Sequence, residues 1–381
     1  MNAPMNAPMS AAQDAPMSRL QLALALLSGS VCALALALAL LSADAPLLLL
    51  GFAAAGALTL LRFRLPVSFW VDGLVSLLGA IALLLTLPVY QTEPGFFWLA
   101  LLACWSFAWL FVERLSRAIR QRQLSGRIFG LLIPIVFGLA LLFIWEIVTR
   151  GANVPQVLLP PPSQIWARLT GSVPTLVADF QQTFLKAVLA GYAMGCLSGF
   201  LVAILVDRSP FLKAGLLPIG NFVSALPIIG IAPIMVMWFG FDWPSKAAVV
   251  VAMTFFPMLV NTVAGLNQAS VIERDLMRTY AASYGQTLLK LRLPAAAPFI
   301  FNALKINSTL ALIGAIVAEF FGTPIVGMGF RISTEVGRLN IDLVWAEIAV
   351  AAVAGSAFYG VIALIERAVT FWHPSVRGGQ A

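Results

Sequence analysis

Few side chains in this sequence of 381 residues have the types and spacing of a catalytic site. The only histidine is His373, and the cysteines Cys32, Cys104 and Cys196 lie in apolar runs and are not spaced as metal ligands. None of the five lysines precedes Ser or Thr, so there is no GxxxxGKS or GxxxxGKT loop to hold the phosphates of ATP. No Ser/His/Asp set or pair of carboxylates lies in the apolar runs. We therefore expect no catalytic residue, no metal site and no enzymatic activity.

The apolar runs do contain a few polar side chains, and these are costly in a membrane. Glu319 lies in IVAEFFG near one end of its run, where a carboxylate costs up to about 3 kcal/mol unless it is paired or hydrated. It could belong to a structural ion pair or an interfacial position, or it could contact a substrate or form a gate. Asn307, Ser308 and Thr309 precede it on the same predicted helix and could line the same path.

Prolines interrupt another apolar run, LLPIGNFVSALPIIGIAPIMVMWFGF, at Pro218, Pro227 and Pro233. Each proline removes a backbone hydrogen bond, and in lipid the freed carbonyl groups must find a partner or face a wet cavity. The prolines are therefore either simple kinks or part of a path that Met235 and Trp238 would line. The predicted translocation path consists of Pro227, Pro233, Met235, Trp238, Asn307 and Glu319.

The composition indicates that membrane-spanning helices position these residues. The chain is 61% hydrophobic and 10% charged, whereas soluble domains have about 25% charged residues. A helix needs about 20 apolar residues to cross a bilayer, and ten runs approach that length: about 20–43, 46–61, 68–89, 95–112, 128–149, 183–206, 214–239, 246–268, 296–320 and 344–367. We predict an all-α polytopic membrane protein with about ten transmembrane helices.

In the sixth run, Gly191, Gly195 and Gly199 predict either close helix packing or a conduit lining.

The distribution of basic residues predicts the orientation of the chain. With the N-terminus inside, 17 of the 23 Lys and Arg residues fall on one side, which is the cytoplasmic side by the positive-inside rule. Both chain ends then lie in the cytoplasm, and the net charge of +7 reflects topology and not nucleic-acid binding. The predicted organisation is a disordered cytoplasmic tail (1–18), a four-helix membrane extension (19–112), a basic linker (113–127) and a second membrane domain (128–377), which includes a cytoplasmic segment (271–294).

Residues 271–298, VIERDLMRTYAASYGQTLLKLRLPAAAP, separate two apolar runs and are too polar to cross a bilayer. Apolar side chains at helical spacing share one face of this segment: Leu276, Met277, Tyr280 and Tyr284. Charged side chains lie largely on the other face: Arg274, Asp275 and Arg278. The pattern predicts a short amphipathic helix that lies on the membrane surface and docks against a partner.

Four stretches of the second membrane domain occur in a characteristic order: VPQVLLPPPSQIW, LPIIGIAPIMVMWFGFDWPSK, RTYAASYGQTLLKLRLPAAAPFIFNALKI, and IGAIVAEFFG followed by GMGF. On these stretches, residues from about 128 to 377 resemble the membrane-spanning subunit of bacterial ABC importers. The branch they resemble includes the nitrate, sulfonate, taurine and thiamine-precursor permeases. The resemblance implies a type I importer (MetI-like) permease core, with residues 19–112 as a four-helix N-terminal extension outside that core.

The third stretch resembles the family's cytoplasmic coupling segment, which reads Glu-Ala-Ala, three residues, Gly, and later Leu-Pro. Counting back from Leu293-Pro294 without a gap places Asp275 on the glutamate and Ala281 on the glycine, with two bulky residues on the alanines. All four positions therefore depart from the family pattern. The resemblance implies one coupling helix over about residues 273–288. It also implies that an ATPase docks on Asp275, Leu276, Met277, Arg278, Tyr280, Ala281, Ser283 and Pro294.

The resemblance also implies partners. Two copies of this subunit would surround one path, two separate ATPase subunits would carry the ATP and Mg, and a periplasmic or extracellular binding protein would deliver the substrate. We expect no cofactor in this chain and no nucleic-acid partner. The expected location is the bilayer of the bacterial inner (cytoplasmic) membrane.

The expected function is that of a permease subunit of an ATP-driven importer that works by alternating access. The expected substrate is a small organic anion such as a sulfonate, taurine or an aromatic acid. The same machinery could instead import nitrate or a pyrimidine or thiamine precursor. An ion-coupled secondary transporter is a different possibility, but it predicts paired deep acids, and Glu319 is the single deep acid in the sequence pattern.

Overall fold

The computed structural model describes residues 19–42, 55, 68–86, 94–120, 127–224, 227–322 and 325–372. The chain divides into two compact units, residues 1–164 and 165–381. Every regular element within the described ranges is a helix, with no strand among them, which confirms the all-α prediction.

The first unit contains α1 (Arg19–Ser42), α2 (Phe69–Thr86), α3 (Pro94–Arg120) and α4 (Arg127–Gly151). Helices α1 and α2 both pack on α3. An ion pair joins α3 to α2, with Arg114 Nη1 2.7 Å from the buried Asp72 Oδ2. The predicted span at 46–61 lies, except for residue 55, outside the described residues.

The second unit is built around one central helix, which is the tenth helix of the described chain. Helix α5 (Pro162–Gly171) leads into a continuous helix made of α6 (Val173–Phe180), a π-helical segment (Gln181–Val188) and α7 (Leu189–Arg208). The remaining elements are α8 (Pro210–Ser224), α9 (Ile228–Phe239), α10 (Trp243–Leu266), α11 (Val271–Thr279), α12 (Tyr284–Thr287), a π-helical turn (Leu288–Arg292), α13 (Leu293–Glu319), α14 (Met328–Gly337) and α15 (Ile341–Val369). The central helix is α10, which packs on both α7 and α13.

Local sequence determines where these helices end. The run predicted at 214–239 is two helices, because Pro227 is extended (φ −67°, ψ 121°) and α9 starts after it. Helix α9 stops at Phe239 because Gly240 has φ 82°, a conformation that favours glycine. Helix α10 then starts at Trp243, whose N–H donates to the Asp242 carboxylate at 2.7 Å.

Six helices of the described part are long and apolar enough to span a membrane: Trp98–Arg120, Gly130–Gly151, Val173–Arg208, Trp243–Leu266, Tyr284–Glu319 and Ile341–Val369. The predicted number of ten spans is therefore not confirmed. Helix α9 has only 12 residues, which corresponds to about 18 Å and is shorter than the hydrocarbon core.

The three glycines of the sixth predicted span lie against α10, which confirms close helix packing at these positions. A Cβ atom built on Gly191 would be 2.6 Å from Val250 Cβ and 2.7 Å from the Ala247 carbonyl oxygen. One built on Gly199 would be 2.5 Å from the Phe255 carbonyl oxygen. Lipid provides little hydrophobic drive between helices, so this close backbone approach is a main source of stability for the pair.

Gly191→Ala should destabilise the second unit, because the new methyl group meets backbone that cannot move independently. Overpacking of this kind costs about 1–3 kcal/mol, although alanine favours a helix over glycine by about 1 kcal/mol. Scanning fluorimetry of the detergent-purified protein should show a lower unfolding midpoint. The matched control is Gly360→Ala in α15, where an added Cβ has no atom of the described residues within 4 Å. Equal midpoints for the two variants would contradict the packing account.

Candidate functional site

The segment between α10 and α13 begins with a well-capped helix, α11. The Ser270 N–H donates to Glu273 Oε2 at 2.8 Å, and the Glu273 N–H donates to Ser270 Oγ at 3.3 Å. These two bonds form a capping box, which fixes the start of the helix. The backbone and side-chain hydrogen bonds with Ser270 lower the pKa of Glu273. Its carboxylate lies in the first turn of α11, near the positive end of the helix dipole.

Helix α11 ends at Thr279, so the prediction of one helix over 273–288 was wrong. Ala281 has φ 48°, and the Ala282 N–H donates to the Met277 carbonyl at 3.0 Å, which is the pattern of a Schellman motif. A second helix, α12, starts after Ser283, whose side chain forms another capping box with Gln286. Ala281 is the residue that the ungapped count places on the family's glycine, and its positive φ is the conformation that glycine adopts most readily.

An exposed apolar stripe runs along α11. Ile272, Leu276 and Tyr280 follow each other at four-residue spacing and are 82%, 55% and 77% exposed. The predicted face contained Leu276 and Tyr280 but missed Ile272, although the spacing in the sequence would have included it. Met277 was also predicted to lie on this face, but unlike its neighbours in the stripe it is half-buried.

The charged residues of α11 fall into two groups. Arg274 is fixed to the end of α10, since its Nε donates to the Ala269 carbonyl at 2.9 Å and its Nη2 to the Asn267 carbonyl at 2.8 Å. Arg278 and Asp275 form a 3.2 Å pair whose side chains are 82% and 58% exposed. Such an exposed pair contributes about 0–1 kcal/mol to stability, so both charges remain available to a partner.

A buried ion pair fixes the other end of the segment. Arg292, in the π-helical turn before α13, donates from Nη1 and Nη2 to the two oxygens of Asp207 at 2.6 Å each. Its Nε donates to the Leu266 carbonyl at 3.0 Å. One guanidinium therefore joins the end of α7, the end of α10 and the start of α13. The two side chains are 12% and 4% exposed.

Tyr284 of α12 extends this contact. Its hydroxyl donates to Asp207 Oδ2 at 3.1 Å, and the Arg208 guanidinium lies 5.5 Å from its ring centroid. Sequence reasoning missed this pairing, because it did not single out Asp207. Pro294, the last predicted coupling residue, lies in the first turn of α13, where a missing N–H costs little.

The residues predicted to line a path lie on two helices, α9 and α13, and differ in exposure. Asn307 is buried on α13, where its Nδ2 donates to the Thr254 carbonyl at 2.8 Å and lies 3.2 Å from Cys196 Sγ. It therefore joins α13 to α10 and α7. On α9, Trp238 is 71% exposed. Pro227 is exposed at the start of that helix, and Pro233 and Met235 are half-buried within it. A lining role for these residues stays a prediction.

Glu319 is buried, and hydrogen bonds within the chain hold it. Oε1 accepts from Thr183 Oγ1 and Oε2 accepts from the Gly329 N–H, both at 2.7 Å. A Cβ on Gly327, which has φ 144°, would lie 2.8 Å from the same carboxylate. The arrangement supports the structural interpretation of Glu319, and a gating role stays a prediction.

Glu319 is one of three side chains that satisfy the first N–H groups of α14. The Gly327 N–H donates to Asp179 Oδ1 at 2.7 Å, and the Met328 N–H donates to Thr183 Oγ1 at 2.8 Å. Arg331 also donates from Nε to Asp179 Oδ2 at 2.8 Å. The start of α14 is therefore fixed to the helix formed by α6 and the π-helical segment.

Comparisons with known proteins identify the family. Residues 191–371 match the family described as binding-protein-dependent transport system inner membrane component. A probable ABC transporter permease protein of Haemophilus influenzae is 34% identical over 57% of this chain and 87% of its own length. The formylaminopyrimidine transport permease protein ThiX of Halalkalibacterium halodurans is 31% identical over 65% of this chain and 98% of its own length.

A third relative is the putative aliphatic sulfonates transport permease protein SsuC of Bacillus subtilis. It is 27% identical over 69% of this chain and 95% of its own length. These relatives are transport permeases, and the family name implies a binding protein and an energy-supplying partner. Together with the six apolar helices, they identify a multi-pass membrane protein. This chain therefore belongs to the permease subunits of binding-protein-dependent ABC importers, in the branch that contains the sulfonate, taurine and thiamine-precursor permeases.

Proposed function

We propose that this chain forms the substrate path of an ATP-driven importer and receives its energy through residues 271–294. The observation that carries the proposal is an exposed amphipathic helix, α11, in a segment whose two ends are fixed to the helices of the second unit. The chain has no P-loop of its own, so ATP and Mg would be held by a separate ATPase.

The stripe formed by Ile272, Leu276 and Tyr280 is suited to a groove in the ATPase. Apolar anchors at helical spacing are the usual way in which a single amphipathic helix docks into a partner. The stripe lies on a helix whose residues are all at least partly exposed, so it is free to be covered. The Asp275–Arg278 pair beside it would supply the polar rim of the interface.

Movement of the docked segment would reach the membrane helices through Arg292. A displacement of α11 and α12 would be transmitted to the Asp207–Arg292 pair, whose hydrogen bonds connect α7, α10 and α13. Because the pair is bidentate and largely buried, it is stiffer than a single exposed contact. The three helices would therefore move together when the ATPases close.

The remaining parts of the assembly follow from this arrangement. Two copies of the chain and two ATPases would form one transporter, with residues 271–294 and both chain ends in the cytoplasm. Residues 128–377 would form the transport domain and residues 19–112 a peripheral four-helix extension. Two of the relatives are named for formylaminopyrimidine and for aliphatic sulfonates. A small organic anion is the substrate class we propose, and we assign no catalytic residue to this chain.

Transport in proteoliposomes tests the proposal. The full chain, its partner ATPase and the binding protein would be reconstituted together, and uptake of labelled taurine, benzoate and an aliphatic sulfonate would be followed. We expect uptake of at least one of these anions to require ATP, the ATPase and the binding protein. Uptake that continues without the ATPase, driven by an ion gradient, would contradict the proposal.

Tyr280→Ala should weaken ATPase docking, because it removes the largest anchor of the stripe. Loss of a central aromatic anchor typically weakens an interface about tenfold or more. Titrating the ATPase onto the permease in detergent should show this loss, while affinity for the binding protein stays unchanged. Tyr359→Ala, at a 43% exposed tyrosine in α15, is the control and should bind the ATPase normally. Equal ATPase affinity for both variants would place the interface elsewhere.

Breaking the Asp207–Arg292 pair should reduce the substrate transported per ATP hydrolysed. Arg292→Gln leaves a buried carboxylate unpaired, and we expect a loss of about tenfold, within the usual range of coupling energies. The double variant Asp207→Arg with Arg292→Asp should recover part of this ratio.

Lys305→Gln is the matched control for this prediction. It breaks a 2.7 Å pair with Glu366 of similar burial, 19% and 17% exposed, which joins α13 to α15 away from the coupling segment. It should lower stability but keep the transport-to-ATPase ratio. If Lys305→Gln and Arg292→Gln lowered that ratio equally, the Asp207–Arg292 pair would have no special part in coupling.

A further inference from the structure

A cavity of about 710 Å³ opens at the end of α10 that is opposite to the coupling segment. Its lining residues come from three places in the chain and include Gln181, Gln182, Lys186, Phe241, Asp242 and Val326. The volume is in the range of about 300–1,000 Å³ that is typical of small-molecule sites. Helix α10 has 24 residues and is about 36 Å long, so the cavity and the coupling segment lie at opposite ends of one span.

Hydrogen bonds to the start of α14 fix the helix that forms one wall of the cavity. Gln181, Gln182 and Lys186 share one face of the π-helical segment, and π-helical insertions in helices are frequent at functional sites. The neighbouring face carries Asp179 and Thr183, which accept the N–H groups of Gly327 and Met328. These buried bonds fix the orientation of the wall before any ligand arrives.

The opposite wall is fixed in a similar way. The opposite wall includes Phe241. Lys246, which is 1% exposed, donates from its ammonium to the Phe241 carbonyl at 2.6 Å and to the Gly322 carbonyl. The Phe241 side chain itself remains 67% exposed. Phe241 and Val326 therefore give the cavity an apolar surface on a fixed backbone.

A short chain of hydrogen bonds orients the one cationic group that lines the cavity within the described residues. Asp242 Oδ1 accepts from Gln182 Nε2 at 2.7 Å, and Gln182 Oε1 accepts from Lys186 Nζ at 2.9 Å. The Trp243 N–H, followed by Gln182, lowers the pKa of Asp242, so this carboxylate is already engaged. An ammonium has three N–H donors, and this chain of bonds uses one of those of Lys186.

We propose that this cavity binds a small organic anion, with its acidic group on Lys186 and its apolar part against Phe241 and Val326. The inference rests on the proposed function in one respect, which is that the cavity lies on the side from which substrate enters. Selection would then depend partly on this chain and not solely on the binding protein. Gln182 acts as a positioning residue, because it sets the direction of the Lys186 ammonium.

Direct binding to the full permease–ATPase complex in nanodiscs, without binding protein, tests the site. The probes are benzenesulfonate, benzoate and taurine, and benzyltrimethylammonium serves as a cation with the same ring. Equilibrium dialysis should show saturable binding of at least one anion and none of the cation. Absence of saturable binding for all three anions, or equal binding of the cation, would overturn the proposal.

Three variants assign the binding to named residues. Lys186→Gln should weaken anion binding about tenfold or more, because it removes a charge-assisted hydrogen bond. Lys213→Gln makes the same change at an exposed lysine on α8 and should leave binding unchanged. Lys186→Arg should restore most of the affinity, which a merely destabilised protein would not do.

A fourth variant keeps the proposal testable if Lys186→Gln fails to fold. Phe241→Ser should weaken benzenesulfonate more than taurine, because only the former has a ring to lose its contact. Equal affinities across wild type, Lys186→Gln and Phe241→Ser would overturn the site. So would a Lys186→Gln protein that binds the anions normally but loses affinity for the binding protein, since the cavity would then be a docking surface.

The outcome is separable from that of the proposed function. If uptake depends on ATP and the binding protein but anion binding does not depend on Lys186, the cavity assignment alone fails. If Lys186-dependent binding is present but uptake does not require ATP, the importer proposal fails and the anion site stands.

Discussion

The contact between Arg292 and Asp207 determines how the coupling segment is attached to the membrane helices. Helix α11 has little buried surface of its own, and its start is fixed mainly by the capping box and by Arg274. The other end of the coupling segment depends on the Arg292 guanidinium, which binds one carboxylate bidentately and also donates to the Leu266 carbonyl. Because both charges are largely removed from water, losing either partner leaves an uncompensated charge. The segment can be exposed to a partner and still be mechanically connected to α7, α10 and α13.

The two ends of α10 are stabilised by different means. At the coupling end, Arg292 of the Asp207–Arg292 pair donates to the Leu266 carbonyl. At the other end, Asp242 accepts the Trp243 N–H, and Lys246 donates to the Phe241 and Gly322 carbonyls. Between them, glycines of α7 allow the backbones of α7 and α10 to approach closely. A helix that is rigid at both ends and closely packed in the middle is suited to carrying a displacement across the membrane.

Part of this structure could be predicted from the sequence because the relevant signals are local. Apolar runs of sufficient length predicted most of the helices, and the four-residue glycine spacing gave close packing at Gly191 and Gly199 as one of two interpretations. The polar insert at 271–294 was recognisable by its composition. The helix break could not be predicted from periodicity alone, because alanine is a good helix former and Ala281 adopts φ 48° only as part of the Schellman motif. The partners of Arg292 and Glu319 depend on contacts between distant helices, which no local pattern encodes.

Photo-cross-linking from α11 tests the docking of the coupling helix most directly. Cys32, Cys104 and Cys196 are buried, so a benzophenone maleimide should label mainly an introduced cysteine. In the assembled complex, Ile272→Cys and Leu276→Cys should cross-link to the ATPase. Leu339→Cys, at a 64% exposed turn before α15, should not. An intact complex in which the α11 positions give no ATPase adduct, or in which Leu339→Cys gives it instead, would contradict the account.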